Sequence, residues 1–223
     1  MTTMKNELLE LYSKRQQDFK SVLDKFPEDD LAGPFLMSPS PEYYNQPNRL
    51  LIIGQQTNGW SYHIDDLEKQ MKQYADFNVG IEYYASPFWN ITRKVETALD
   101  NKPYSCAWTN LNKFDLDAGR PYGEYEVEIS KLDDILVSEI KILKPDFCLF
   151  YTGPSFDYTI KKIFKDIEFV EIPNFTVRQF CKLKHPDLPE NSYRSHHPKS
   201  LRIRYIEDDF INYIGQQKRK NAL

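Results

Sequence analysis

Short apolar runs that alternate with helical patterns constrain the fold of this chain more than any other feature. Four such runs occur, at residues 50–53, 106–111, 147–151 and 169–172. Between them, apolar residues such as Ile129, Leu132 and Ile135 recur every three to four positions, which is typical of amphipathic helices. Parallel strands need crossover connections, and short apolar strands fit a sheet that is covered on both faces. The pattern therefore predicts an α/β fold with a central parallel sheet.

The length of the chain favours one domain. Its 223 residues suit one large core, and no shift in composition divides them into two parts. The start of the chain repeats apolar residues at Leu8, Tyr12, Phe19 and Leu23, as an amphipathic helix does. We expect a single domain over residues 1–223 with an N-terminal helical segment at about residues 1–30.

Composition excludes several classes of protein. No stretch approaches the roughly 18 to 20 consecutive apolar residues of a membrane span, and charges occupy the start where a signal peptide has its apolar centre. Two of the three cysteines, Cys106 and Cys148, lie in apolar runs, as reduced core cysteines do. Three cysteines cannot supply the four ligands of an iron–sulfur cluster. We expect a cytoplasmic monomer without a cofactor or contact with membranes.

Positive charge is concentrated near the end of the chain. The formal net charge is −4, yet residues 178–204 hold seven Arg and Lys against two acidic residues, which gives +5 there and −9 elsewhere. Arg178, Lys182, Lys184, Arg194 and Arg202 belong to this segment. Such a segment suits contact with the phosphates of a nucleic acid, and it is equally the composition of an ordinary solvated face.

Polar and glycine-rich segments follow the first three apolar runs. In parallel sheets the ligand lies beyond the carboxyl ends of the strands. Gly54 lets a ligand approach the backbone, and the amides of Gln55 and Gln56 can both donate and accept hydrogen bonds. Asn110 ends the second run. Ser155 follows the third run within Gly-Pro-Ser, where it is either a ligand contact or only a helix cap.

A late His-His-Pro-Lys-Ser segment is the second feature with chemical meaning. Pro198 favours the start of a helix, which places His197 just before a helix N-terminus. A neutral histidine there can donate a hydrogen bond to a developing anion. The alternative is a surface pair of histidines. Neither a matching His-Cys pair nor a closely spaced carboxylate accompanies it, so the segment does not indicate a zinc site.

Taken in order, these motifs resemble the uracil-DNA glycosylase superfamily over roughly residues 48–215. Gly54-Gln55-Gln56-Thr57 is similar to that family's Gly-Gln-Asp-Pro, and His197-Pro198-Lys199-Ser200 is similar to its His-Pro-Ser-Pro. The resemblance implies a three-layer αβα sandwich around a central four-stranded, mainly parallel sheet. It also implies a DNA glycosylase of base excision repair that flips a damaged or deaminated base and hydrolyses the N-glycosidic bond.

The resemblance also implies roles for individual residues. Asn110 would read the edge of the base, Phe88 would stack on it with Trp89 as the neighbouring candidate, and His197 would stabilise the pyrimidine oxygen. The other implied base contacts are Gly54 and Gln55, Gln56 would be the catalytic partner of His197, and the implied phosphate contacts are Lys199, Ser200 and Ser155. DNA, single- or double-stranded, would be the partner.

The chain departs from the family at the residue that positions the hydrolytic water. Gln56 stands where the family has Asp or Asn, and an amide can orient a water but cannot act as a base. Asp65 and Asp66 are either substitutes for that carboxylate or ordinary helix residues. Three hypotheses follow: a glycosylase, a nucleic-acid or nucleobase-binding module that is catalytically weak or inactive, and a hydrolase of free nucleotides.

Overall fold

The computed structural model describes residues 3–27, 31–60 and 64–218. Within these ranges it contains eight strands and eight α-helices. The strands are β1 (Leu31–Ala32), β2 (Leu50–Gly54), β3 (Ala107–Asn110), β4 (Asp115–Leu116), β5 (Phe147–Phe150), β6 (Glu168–Glu171), β7 (Phe180–Lys184) and β8 (Asn191–Ser195). The helices are α1 (Met4–Lys25), α2 (Leu67–Phe77), α3 (Pro87–Ala98), α4 (Glu124–Ile129), α5 (Asp134–Leu143), α6 (Asp157–Ile163), α7 (Pro198–Ile203) and α8 (Glu207–Gln216).

The main sheet has six strands in the order β3-β2-β5-β8-β7-β6, and β1 and β4 form a separate antiparallel pair. β3, β2, β5 and β8 run parallel to one another, whereas β7 and β6 are antiparallel to their neighbours. The α/β fold with a mostly parallel sheet is therefore as predicted. The predicted count of four strands is wrong. The fourth predicted strand is the antiparallel edge strand β6, and β7 and β8 lie between it and β5.

β8 escaped prediction because its sequence, Asn-Ser-Tyr-Arg-Ser, is polar. Arg194 is nevertheless fully buried at the middle of the sheet. Its guanidinium pairs with Asp157 at 2.9 Å and donates to the backbone carbonyls of Val177 and Arg178 at 2.6 and 2.9 Å. A buried charge is tolerated when it is paired and hydrogen-bonded, so a strand without an apolar pattern is stable here.

The helices follow from their apolar faces and end residues. α1 buries Leu8, Tyr12 and Phe19 on one side, as the sequence pattern indicates, and Thr3 caps its first turn. α1 contacts α2 and α5, whereas α3 contacts α7 and α8. One core cluster of buried apolar side chains reaches from Leu8 to Ile214. Within the described ranges no helix is both long and apolar enough to cross a membrane.

A buried ion pair supports the end of β3. Lys113 Nζ lies 2.7 Å from the Glu139 carboxylate, and both side chains are almost fully buried. Thr109 and Tyr12 each donate a hydroxyl proton to the same carboxylate at 2.8 Å. Burial lowers the pKa of Lys113, and the adjacent Glu139 carboxylate opposes this effect. The network ties α1 and α5 to the strand that carries Asn110.

Side chains bond to the β3 edge of the main sheet, and charged residues stand at both ends of the β6 edge. On the β3 edge, the backbone N–H of Trp108 donates to the hydroxyl of Tyr74 at 2.9 Å, and that of Cys106 donates to Glu96 at 2.8 Å. On the other edge, β6 begins and ends with the exposed residues Glu168 and Glu171. All three cysteines are buried and free, as the sequence predicts.

Candidate functional site

A cavity of about 610 Å³ opens at the carboxyl ends of β2 and β3. Ligands occupy this position in parallel sheets. The structure brings together there all the residues for which the sequence suggested a base contact or a catalytic role. They are Gly54, Gln55, Gln56, Phe88, Trp89, Asn110 and His197.

Gly54 and Asn110 form the floor of this cavity. They are direct partners in the parallel ladder between β2 and β3. A β-carbon on residue 54 would overlap Asn110 Oδ1 and would stand 3.3 Å from Trp108 Nε1. Only glycine therefore leaves room for the Asn110 amide. Asn110 is buried, and its Nδ2 has no hydrogen-bond partner among the described residues, so a donor is left for a ligand.

The loop after β2 is held by the buried carboxylate of Asp115. This carboxylate accepts hydrogen bonds from the Thr57 hydroxyl and from the backbone N–H groups of Gly59 and Ala118, the latter two at 3.1 and 2.9 Å. Gln55 is not free, since its Nε2 donates to the carbonyl of Thr152 at 2.8 Å.

Gln56 differs from its neighbour in this loop. Its Oε1 is buried and unpartnered among the described residues, which leaves it as an acceptor for a water or a ligand.

No Asp or Glu lines the cavity within the described residues. Asp66 caps α2 by accepting the backbone N–H of Lys69 at 2.9 Å, and Asp65 pairs with Lys20 at 2.7 Å. Both therefore have the ordinary structural roles that the sequence left open for them. Asp115 is the acidic residue closest to Asn110 along the chain. Its carboxylate already accepts hydrogen bonds from the loop that it holds.

His197 lies at the cavity wall as the N-cap of α7, with Pro198 in the first helical position. Its Nδ1 accepts the backbone N–H of Lys199 at 3.3 Å, so a neutral ring carries its proton on Nε2. Burial lowers the pKa of His197, and the charge of Lys199 lowers it further. At neutral pH the ring is therefore an uncharged donor through Nε2–H.

Aromatic rings form the rest of the wall. α3 begins at Pro87, and Ser86 caps it by accepting the N–H of Trp89. Because α3 begins here, Phe88 lies in the wall of the cavity. Its ring centroid is 5.9 Å from that of His197. Trp89 is largely buried beneath it, with the ring centroids 4.9 Å apart. Phe88 is therefore the better placed of the two to stack on a bound ring.

Sequence reasoning missed several lining residues. They are Gln73, Phe77, Tyr83 and Trp108. Most are aromatic residues that a sequence pattern cannot separate from core positions. One signal was available, because Trp108 precedes Asn110 by two positions and alternate strand residues share a face.

Several residues of the basic segment are held in ion pairs, and none of its Arg or Lys side chains, all within the described ranges, lines the cavity. Arg194 is buried in its ion pair, Arg202 binds Glu207 at 2.7 Å, and Lys182 pairs with Glu190. β7 runs away from the site, because Phe180 pairs with Ser195 and Lys184 pairs with Glu168 at the far end. The Lys184 end of β7 therefore lies roughly 13 Å from Phe180, at about 3.3 Å per residue.

The suggested phosphate contacts lie beside the site. Lys199 is exposed and Ser200 half-buried in the first turn of α7. Ser155 is exposed in a short 3-10 helix, where its carbonyl accepts from Arg120 at 3.2 Å. The preceding Gly153 donates its N–H to the carbonyl of Ser195 at 2.9 Å, which keeps this loop close to the end of β8.

A second, larger cavity of about 730 Å³ lies near the start of α1 and is lined by none of the candidate site residues, although Cys106 is part of its lining. Its lining is mainly apolar, with Met4, Pro39, Pro41 and Val79 among its members. The described residues contain no group of three or more His, Cys, Asp and Glu side chains placed to hold a metal ion. No protein-family model matches the chain, and a search of the curated proteins gives no match.

Proposed function

We propose that this protein is a DNA glycosylase of the uracil-DNA glycosylase type. It would bind a base flipped out of DNA in the cavity at the ends of β2 and β3, and hydrolyse the N-glycosidic bond. One observation carries the proposal: a neutral, Nε2–H-donating His197 and an unpartnered Asn110 amide line the same cavity, with the Phe88 ring beside them. α1 contacts α2 and α5, and α3 contacts α7 and α8. Two such groups of helices would suit the two outer layers of a three-layer fold.

Each side chain has a chemical task in this proposal. The Asn110 amide pairs with the edge of a pyrimidine, since one amide serves both a carbonyl and a ring N–H. Phe88 stacks on the ring. When the bond between the sugar carbon and the base nitrogen breaks, its electron pair passes to the base. His197 Nε2–H then stabilises the negative oxygen of that base without a change in its own protonation.

Water completes the reaction at the sugar. The sugar carbon becomes cation-like as the base departs, so the attacking water needs orientation more than deprotonation. The buried Gln56 Oε1 offers an acceptor for one of its protons. The water oxygen bonds to the sugar carbon, and its second proton passes to the departing base or to solvent.

A second candidate function is recognition of a base without its hydrolysis. It is favoured by the absence of any carboxylate from the described lining of the cavity. A module of this kind would use the same Asn110, Phe88 and His197 contacts. It would form a stable complex with DNA that carries the target base, and it would leave the glycosidic bond intact.

Oligonucleotides that carry uracil, hypoxanthine, xanthine or an oxidised pyrimidine test these functions. They are incubated with the protein in EDTA, as single and double strands, and abasic sites are measured by alkaline cleavage. We expect abasic sites from at least one base, and a loss of about a hundredfold in rate for His197→Ala. Gln56→Ala should also slow the reaction.

Controls separate the alternatives. His185→Ala provides a matched histidine replacement at the end of β7 remote from the cavity, and its rate should stay close to that of the parent. Tight binding without abasic sites would favour the binding module. Metal-dependent hydrolysis of free nucleotides, without activity or binding on any oligonucleotide, would overturn the proposal.

A further inference from the structure

The backbone after β3 determines where the Asn110 amide stands. Asn110 is the last residue of β3, and its Nδ2 has no hydrogen-bond partner among the described residues. The chain beyond it stays on β2. The N–H of Leu111 donates to the carbonyl of Gly54 at 3.0 Å, and the N–H of Asn112 donates to the carbonyl of Gln55 at 2.9 Å. Groups that fix this stretch of backbone therefore also fix the amide.

Thr109 and Lys113 lie on either side of this stretch and are joined to each other. Lys113 Nζ donates to Thr109 Oγ1 at 2.8 Å, which closes a ring of chain that contains Asn110. Trp108 and Asn110 line the cavity, and since alternate side chains of a strand share a face, Thr109 points to the opposite face. There its hydroxyl donates to Glu139 at 2.8 Å. We call Thr109, Lys113 and Glu139 the Lys113 clamp.

The Lys113 clamp is buried and fully paired. Lys113 Nζ lies 2.7 Å from each carboxylate oxygen of Glu139, so with the bond to Thr109 it uses all three of its donors. The Lys113 and Glu139 side chains are 1% and 0% exposed. Apolar side chains of similar volume are often as stabilising as a buried ion pair, or more so. A fully satisfied polar network instead holds its members in one arrangement, which matters where an amide has to be oriented.

We propose that Lys113 and Glu139 are positioning residues that act with Thr109 to hold the Asn110 amide in the orientation that pairs with a base. None of the three is among the described residues that line the cavity, so they act through Asn110 and not on the ligand. The inference rests on the proposed function, because the orientation of Asn110 matters only when a base enters the cavity.

A paired replacement tests the Lys113 clamp. Lys113→Met combined with Glu139→Gln removes both charges at once, so no unpaired charge is buried, and the amide introduced at position 139 can still accept from the Tyr12 hydroxyl that bonds there now. Arg49→Met with Asp146→Asn is the matched control. These two residues form an ion pair at 2.9 Å just before β2 and β5, at the opposite end of the sheet from the cavity. Urea denaturation shows which variants are folded.

The side-chain NH2 signals of Asn110 report its orientation in the ligand-free protein. Proton–nitrogen NMR identifies them by their absence from Asn110→Ala. We expect Lys113→Met with Glu139→Gln to shift or broaden these signals, and the control pair to leave them in place.

Thr109 provides a second, milder test by the same measurement. Thr109→Val removes the hydroxyl with little change in shape and should also shift the Asn110 signals, whereas Thr109→Ser keeps the hydroxyl and should not. If the paired replacement does not fold, this comparison decides alone. Asn110 signals that stay unchanged in every folded variant would overturn the inference.

The rate test uses the oligonucleotide of the panel above that the parent protein excises fastest, or binds best if none is excised. Lys113→Met with Glu139→Gln should lower the single-turnover rate, or the affinity, by about tenfold, because a small misplacement of a group can cost up to roughly a hundredfold. With Asn110→Ala present, the same replacement should cost little more, since nothing is left to orient. An equal loss in both backgrounds would overturn the positioning role.

Failure of the positioning role and failure of the proposed function remain distinct. If oligonucleotides are excised or bound but the Asn110 signals and the rates ignore the Lys113 clamp, only the positioning role is wrong. If the signals respond to the clamp but no oligonucleotide is processed or bound, the clamp orients Asn110 and the proposed function is wrong.

Discussion

Asn110 occupies the space that a β-carbon on Gly54 would fill, and the two residues are direct partners across β2 and β3. Gly54→Ala should therefore displace the Asn110 amide and lower the free energy of unfolding by about 1–3 kcal/mol, the usual cost of overpacking. Urea denaturation measures the change. The control is a double-mutant cycle: with Asn110→Ala present, Gly54→Ala should cost much less. If Gly54→Ala lowers the free energy of unfolding equally with and without Asn110→Ala, the predicted overlap between the two residues is contradicted.

The hydrogen bond from Thr57 to Asp115 should stabilise the loop that carries Gln56. Thr57→Val removes the hydroxyl with little change in shape and leaves a buried carboxylate oxygen short of one donor, so we expect a loss of about 1–3 kcal/mol. Thr57→Ser keeps the hydroxyl and is the matched control. Urea denaturation compares the two variants, and an equal loss in both would show that the hydroxyl is unimportant.

Burial and Lys199 should keep the pKa of His197 below its ordinary value of 6.5. Titration of the imidazole by proton NMR measures the pKa directly. Lys199→Glu should raise it, whereas Lys182→Glu, on a lysine paired with Glu190, should not. A pKa at or above 6.5 in the parent protein would contradict the burial effect.

The same shift makes the stability of the protein depend on pH. Between the folded pKa of His197 and 6.5, the unfolded chain binds more protons than the folded protein, so the contribution of His197 to the free energy of unfolding rises with pH. It is lowest below the folded pKa and reaches its plateau above 6.5. His197→Gln should remove this part of the pH dependence, and thermal unfolding in a series of buffers measures it.

The salt dependence of DNA binding should distinguish basic residues near the cavity from basic residues remote from it. Arg178 and Arg204 are exposed and lie close enough to His196 for their charges to lower its pKa, after the larger effect of burial. Arg204→Glu should weaken binding to DNA and reduce the salt slope by about 0.7–0.9 for each phosphate that the variant no longer neutralises. Lys182→Glu is the matched charge reversal on β7 and should have little effect. Equally weakened binding in the two variants would contradict this placement.

The sequence predicted those parts of the fold in which burial and apolar composition coincide. β2 and β5 are continuous apolar runs and β3 begins as one, and the carboxyl ends of β2 and β3 bring Gly54 and Asn110 together. β8 could not be predicted, because its buried Arg194 depends on Asp157 and on two carbonyls that only the folded chain supplies. β7 was missed beside it, and the edge strand was therefore assigned to the parallel group.

The candidate site likewise has residues that could be predicted from the sequence and residues that could not. Gly54, Asn110 and His197 stand at the ends of elements, and such ends can be located in a sequence. In the sequence, Trp60 and Trp108 cannot be distinguished from residues of the hydrophobic core. Their N–H groups are buried and have no partner among the described residues. This depends on which neighbours surround them, and that information exists only in three dimensions. The remoteness of Lys182 from the cavity likewise follows from the direction of β7, which the charge count did not contain.

The two edges of the main sheet bear on how this protein behaves at high concentration. An open edge strand is a template for another chain, and strand addition between copies leads to fibrils and other aggregates. At β3, Tyr74 and Glu96 already take the backbone N–H groups of Trp108 and Cys106. At β6, a second copy would bring Glu168 and Glu171 against like charges. Growth of the sheet from copy to copy is therefore opposed at both ends.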